Sequence, residues 1–205
     1  LAETEYREKN IEKADALLDR AETYASQIEP AGRHEVLDRI NYHRAWSLRS
    51  IDKNTEAAEI LLQMIDTYDP DVFTVRSYDA VMLLANLTVY VTDPHVDLIR
   101  DRLQRLLLAC EAANERRAAM QIRLQFAFDL YLHDRYDEFE PMARQLLTQL
   151  HDVPLPRAES NLWYALAAIE AERGEFESAL TTLDRCIELR WQTRSIQMWQ
   201  LALIS

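Results

Sequence analysis

The sequence predicts an all-α solenoid of about five antiparallel helix pairs, and three observations carry that expectation. The chain has only two glycines in 205 residues, whereas strands, hairpins and phosphate-cradling loops draw on glycine at their turns. Two columns of small or apolar residues recur in step: Ala14, Ala57, Ile99, Phe139 and Ala179, and Ala2, Ala45, Leu87, Ala127 and Ala167. Each column advances by 43, 42, 40 and 40 residues, a period of about 40 that marks stacked two-helix units. The clearest unit runs from Asn161 to Leu189, where Trp163, Leu166, Ala167 and Ile169, then Ala179, Leu183, Cys186 and Ile187, fall on one side at helical spacing. Arg173-Gly174-Glu175 joins the halves, since glycine tolerates the left-handed conformation that ends a helix.

The elements follow in order, with repeats at about 1–30, 31–70, 71–112, 113–153 and 154–190, and the start of another at 191–205. In the first repeat, Leu1-Ala2 keeps only the end of a first helix, and Asn10 to Ile28 supplies the second. Pro30-Ala31-Gly32 is expected to break the chain before Arg33 to Ser50 and Thr55 to Thr67. Tyr68-Asp69-Pro70-Asp71 then reads as an acidic turn ready to cap the next helix. The third pair is placed at Asp71 to Val91 and Pro94 to Ala112, with Asp93 as its cap. Its first helix is apolar nearly all round (VMLLANLTVYV), which predicts the most buried position. Glu115 to His133 and Tyr136 to Leu150 form the fourth pair, with Pro141 assigned to an opening turn where a missing N–H is harmless. Val153-Pro154-Leu155-Pro156 leads into the fifth, and Trp191 to Ser205 reads as a further apolar helix.

The fifth unit resembles the tetratricopeptide (TPR) repeat in its order of Trp, Leu and a small residue, then Gly, Ala, a large apolar residue and a small one. Glu170 stands where that family carries an aromatic, and no proline closes the unit. The period exceeds the 34 residues of the standard repeat, as in the long-period superhelices of bacterial signalling proteins. The resemblance implies a right-handed TPR-like α-solenoid spanning residues 1–205 as one repeat domain. The opening at Leu1 inside a helical pattern suggests a piece of a longer protein.

Composition removes several function classes. With a net charge of −12, the field repels a phosphate backbone, so no direct nucleic-acid binding is expected. The longest uncharged run, Ala80 to Thr92, falls short of the roughly 20 residues of a membrane helix. Catalytic signatures such as GxSxG, GxGxxG, GxxxxGK[ST] and HExxH are absent, so no enzyme activity and no cofactor are expected. The five histidines (His34, His43, His95, His133, His151) are scattered singly and read as lacking a partner at the i, i+4 spacing of a helical metal site, so no metal is expected. Cys110 and Cys186 read as buried free thiols. They leave the compartment open, with cytoplasm favoured over periplasm.

In TPR folds the first helix of each pair lines a concave groove. By that resemblance the groove-facing residues here are Arg39, Tyr42, His43, Trp46 and Arg49 in the second repeat and Thr88 and Val91 in the third. The fourth adds Gln121, Leu124, Gln125, Phe128 and Tyr131, and the fifth Asn161, Tyr164 and Ala168. The competing reading is that Trp46, Phe128 and Tyr131 pack between long helices. Arg39 and Arg49 on one face of an acidic chain suggest a partner that joins an acidic group to an apolar one. The expected role is a non-enzymatic module that binds a protein, a peptide or a small ligand within a larger regulatory protein. By resemblance its output would be a diguanylate cyclase (GGDEF) or a LuxR-type transcription regulator. The alternative is a structural adaptor without switching. Uncovered solenoid ends, with Ile196, Met198, Trp199, Leu201, Leu203 and Ile204 at one of them, suggest self-association.

Overall fold

The computed structural model describes residues 11–87 and 95–192, apart from the side chains of Ile11, Glu12, Ala14, Asp15, Pro30, Ala31, His95 and Gln192. Among the described residues there are nine helices and no strand: α1 (Ile11–Ala25), α2 (Pro30–Arg49), α3 (Asn54–Ile65), α4 (Val75–Ala85), α5 (His95–Ala112), α6 (Arg116–Leu132), α7 (Tyr136–Gln149), α8 (Pro156–Glu172) and α9 (Phe176–Gln192). The chain divides into two compact units, Leu1–Glu115 and Arg116–Ser205. Within each, helices pack against their neighbours in sequence, and in the first unit α2 also touches α4. Local pairing with next-but-one contact is the packing of a helical-repeat solenoid.

Both columns read from the sequence are interior wherever they are described. Ala45, Leu87, Ala127 and Ala167 are buried, as are Ala57, Ile99, Phe139 and Ala179. In the second unit Phe139, Ala143, Leu146, Leu162, Leu166 and Ile169 belong to one apolar cluster that joins α6, α7 and α8. Each fully buried Leu, Ile or Phe contributes about 1.5–3 kcal/mol by leaving water. Ala2 lies outside the described residues, as do Leu1, Asp93, Pro94, residues 193–205 and the side chain of Ala14.

Several boundaries differ from the sequence reading. Pro30 does not break the chain: it occupies the first turn of α2, where its lacking N–H and fixed φ suit a helix start. The third pair opens at Val75 instead of Asp71. Thr74 Oγ1 accepts the Ser77 N–H at 3.0 Å and Ser77 Oγ accepts the Thr74 N–H at 3.1 Å, a reciprocal capping box. Asp71 instead accepts two bonds from Arg105 on α5, at 3.2 and 2.9 Å. The same helix ends at Ala85, where Asn86 Nδ2 donates to the Met82 carbonyl at 2.6 Å, a side-chain bond that competes with helix continuation. Pro141 lies in the second turn of α7, so its ring removes the helical donor to the Asp137 carbonyl. Trp191 does not begin a new helix, because α9 runs on through it.

The turns explain how the chain manages with two glycines. Gly174 has φ +80°, and Asp52, Asn114 and Asp134 take the same left-handed conformation at φ 63°, 58° and 55°. Asn and Asp tolerate that region better than other residues with a Cβ. In each turn the next N–H reaches back five residues: Lys53 to Leu48, Glu115 to Cys110, Arg135 to Leu130 and Glu175 to Glu170. This bond satisfies a carbonyl of the preceding helix end.

Candidate binding cleft

Helix α2 carries five of the groove candidates, and its surroundings set what each can do. It packs against α1, α3 and α4, so buried positions such as Ile40, Ala45 and Ser47 do not form one narrow apolar stripe. Near its C-terminal end the Arg49 guanidinium lies over the Trp46 ring, 5.3 Å from the ring centre, a cation–π contact. One turn earlier Tyr42 and His43 meet edge to face at 5.8 Å.

Arg39 and Tyr42 open onto a small cleft. Asp38 on α2, Met64 near the end of α3, Tyr68 in the following turn, and Arg76 and Asp79 on α4 complete its lining. Arg76 pairs with Glu35 across α2 and α4. The Asp38 side chain is 8% exposed, and its carboxylate lies 3.4 Å from His34 Nδ1. The Tyr68 hydroxyl oxygen is shut from solvent and faces Asp38. Burial first, then the charge of the nearby Asp38 and a hydrogen bond to it, hold that phenol well above its ordinary pKa, while Arg76 opposes the shift. Burial also raises the Asp79 carboxyl above the usual carboxylate range. The cleft therefore presents two carboxylates beside the arginines, and it is not the basic face that Arg39 and Arg49 suggest in isolation.

Asp38, Tyr68, Arg76 and Asp79 were not singled out from the sequence. Asp38 shares a helical face with Tyr42 at i, i+4, and that was the one local signal available. Arg76 and Asp79 stand out only as the two charged residues of α4. Tyr68 reaches the site through the turn after α3.

The second unit places its candidates differently. Phe128 and Tyr131 pack against the apolar cluster, Tyr131 at 5.4 Å from the Phe139 ring and 5.9 Å from Tyr136. Burial raises the Tyr131 phenol, and Tyr164, Glu172 and Asp134 add to the shift, so two candidates from α6 and α8 are neighbours. Gln121 and Gln125 are half-buried, Leu124 is buried and Ala168 is half-buried. Tyr164 is 40% exposed. Asn161 Oδ1 accepts a bond from Arg190 at 3.2 Å, and Arg190 Nε donates to the buried Ser160 Oγ at 2.7 Å. Glu170, which stands at the family's aromatic position, accepts from Thr182 Oγ1 at 2.8 Å and so links α8 to α9. Thr88 and Val91 lie outside the described residues.

Two histidines do have partners at i, i+4, contrary to the sequence reading: Asp38 for His34, and Asp129 for His133 at 3.5 Å. Among the described residues no group of three His, Cys, Asp or Glu side chains is arranged to hold a metal. Among the same residues no helix is long and apolar enough to cross a membrane. Cys110 and Cys186 are free and buried.

The architecture is that of a TPR-like helical repeat. Two crystal structures of a Podosopora anserina protein of kinesin light chain type, described as having nearly identical TPR-like repeats, superpose on this chain. One has a TM-score of 0.68 at 13% identity, covering 95% of this chain and 93% of that one. The other has a TM-score of 0.66 at 14% identity, covering 94% and 92%. No family model matches the sequence, and no curated protein matches it.

Proposed function

We propose that the chain is a non-enzymatic protein-interaction or ligand-sensing module of a larger regulatory protein, one of the TPR-like modules that serve a GGDEF diguanylate cyclase or a LuxR-type transcription regulator. The observation that carries this reading is the surface of α2. There Trp46, with Arg49 stacked on it, and the Arg39–Tyr42 cleft offer aromatic and charged groups on one rigid helix. Aromatic and arginine side chains of this kind dominate binding energy at interfaces. The repeat fold supports an interaction role by analogy, because such scaffolds present extended surfaces for partners.

The test pairs stability with affinity on the same variants. Wild-type chain, Arg49→Ala and Trp46→Ala are titrated with an array of extended heptapeptides that combine acidic, basic and aromatic residues, and their unfolding free energies are measured alongside. Arg49→Ala is expected to leave stability within about 0.5 kcal/mol and to weaken selected peptides by about 1–3 kcal/mol. Loss of stability with unchanged affinity at both positions would overturn the reading and leave a scaffold.

A further inference from the structure

We infer that this chain associates head to tail with further copies of itself, the outward face of α1 in one copy packing on the outward face of α9 in the next. Such assembly is separate from the interaction role proposed above and uses surfaces other than α2. Each of the two faces lies within one unit, and their apolar and charged groups match.

Helix α9 presents an apolar stripe to water. Phe176, Leu180, Leu183 and Ile187 fall at i, i+4, i+7 and i+11, which is one face of a helix. Phe176 is 66% and Leu180 64% exposed, while Leu183 and Ile187 are half-buried. Forty residues earlier the matching face of α7 is covered: Ala143 belongs to the apolar cluster, Tyr136 and Leu147 pack against it, and Glu140 pairs with Arg173 at the end of α8. On one flank of the α9 stripe Ala179, Cys186 and Arg190 are buried. On the other, Glu177, Asp184 and Glu188 each follow a stripe residue in sequence and are exposed, so the free edge of the stripe is acidic. An exposed apolar stripe with a charged border is a surface suited to a protein partner.

Helix α1 carries the complementary charge. Lys13, Leu17, Arg20 and Tyr24 fall at i, i+4, i+7 and i+11 and share its outward face, with Ile28 just past the helix end. Tyr24 is 60% and Ile28 38% exposed, and Lys13 and Arg20 are exposed too. Asp19 and Glu22 lie on a different side of α1, where both pair with Arg44 of α2. The outward face is therefore apolar and basic in a chain of net charge −12. Two copies that met α9 to α9 would oppose acid to acid, and two that met α1 to α1 would oppose base to base, juxtapositions that work against association. The α1–α9 pairing instead sets Lys13 and Arg20 against the acidic edge while Leu17 and Tyr24 cover the stripe. Because the two faces differ, the contact is heterologous, and it repeats along an array unless the rotation between copies closes a ring.

The experiment uses the full chain and its variants Arg20→Glu, Asp184→Arg and Leu180→Asp, each followed by sedimentation velocity over a concentration series. Circular dichroism checks that these exposed substitutions leave the fold in place. The parent is expected to associate as its concentration rises, and each variant alone to associate about tenfold or more weakly. An equimolar mixture of Arg20→Glu and Asp184→Arg is expected to return to the parent's level, because every junction between the two chains again pairs opposite charges, either the two reversed ones or the two native ones. A parent that stays monomeric at every concentration overturns the assignment and gives the α9 face to another occupant, a different protein or a further part of this chain. Parent-level association in Arg20→Glu, or a mixture that associates no better than its components, overturns it as well. So does an Asp184→Arg chain that self-associates more strongly than the parent, the mark of α9 meeting α9.

Discussion

Ala167 and Ala168 are neighbours in α8 with opposite fates, and replacing each by leucine separates interior from surface in one experiment. Ala167 is 5% exposed, while Ala168 is half-buried. Helix α8 packs against both α7 and α9, and Ala165, Leu166 and Ile169 around Ala167 are buried too. Three added carbons would gain about 2 kcal/mol if room existed, at about 0.8 kcal/mol per buried methylene. In a close-packed contact they instead force side chains off rotamer and shift backbone, at a cost of about 1–3 kcal/mol. For a chain of this length each kcal/mol moves the midpoint by about 2–4 °C. Ala167→Leu is therefore expected to melt about 2–12 °C lower, and Ala168→Leu to stay within about 0.5 kcal/mol of the parent. Circular dichroism melts of the two variants and the parent decide it. Equal shifts in both, or none in Ala167→Leu, would show that the small-residue column does not mark helix contact and that the repeat register is wrong.

Four further outcomes follow. Gly174→Ala is expected to cost about 1–2 kcal/mol in urea unfolding from its left-handed backbone alone, because an added methyl would meet nothing within 4 Å; a larger loss would reveal a steric contact instead. Arg105 holds the Asp71 carboxyl below the usual carboxylate range, so this pair stabilises the fold above the unfolded pKa of about 4 and its contribution fades as pH falls through the depressed folded value. Arg105→Gln should flatten that part of the acid limb, and 1 M salt should mimic it; an unchanged acid limb would contradict the pairing. Burial, with Glu115 and Glu111 adding, pushes the Cys110 thiol up to about 11, so Ellman's reagent at pH 8 is expected to label Cys110 only after denaturation, and prompt labelling of the folded chain would refute its burial. Asp79 has the opposite sign from Asp71: its folded pKa is raised, so stability is lost as pH climbs from the unfolded value through the folded one. Asp79→Asn should therefore equal or exceed the parent in stability at pH 7, with the difference vanishing near pH 3, and a clear loss at pH 7 would assign Asp79 a structural partner.

The repeat was legible because it is local. A small or apolar residue every 40 to 43 positions is a statement about which face of each helix meets the next, and helical spacing carries that information along the chain. The inter-helix turns were half legible: Gly174 announced itself, while Asp52, Asn114 and Asp134 adopt the same conformation with residues that also occur on any helix surface. The ends of α4 were missed because side-chain bonds set them. Thr74 with Ser77, and Asn86 with Met82, outweighed the apolar run that suggested a longer helix. Within the candidate site, Arg39 and Tyr42 could be found because they lie on one helix. Met64, Tyr68, Arg76 and Asp79 come from three other segments and meet α2 only through tertiary packing. Phe128 and Tyr131 show the converse limit, since an aromatic at groove spacing and an aromatic that packs on a core read identically until the neighbouring ring of Phe139 is placed.

The electrostatics of the first unit separate two uses of the same residue type. At the turn before α4, Asp71 and the nearby Asp66 have arginines on α5, with Arg102 reaching Asp66 at 3.0 Å. These carboxylates fasten the turn to the helix behind it. In the cleft, Asp79 and the buried Asp38 have no such arginine, although Arg39 and Arg76 line the same space. Rotating an exposed arginine onto either carboxylate would demand little of a fold that pairs its other acids readily. Arg76 pairs instead with Glu35 on α2. Asp38 meets His34 and the Tyr68 hydroxyl instead, so this buried carboxylate is held by an imidazole and a phenol where Asp66 and Asp71 are held by guanidinium groups.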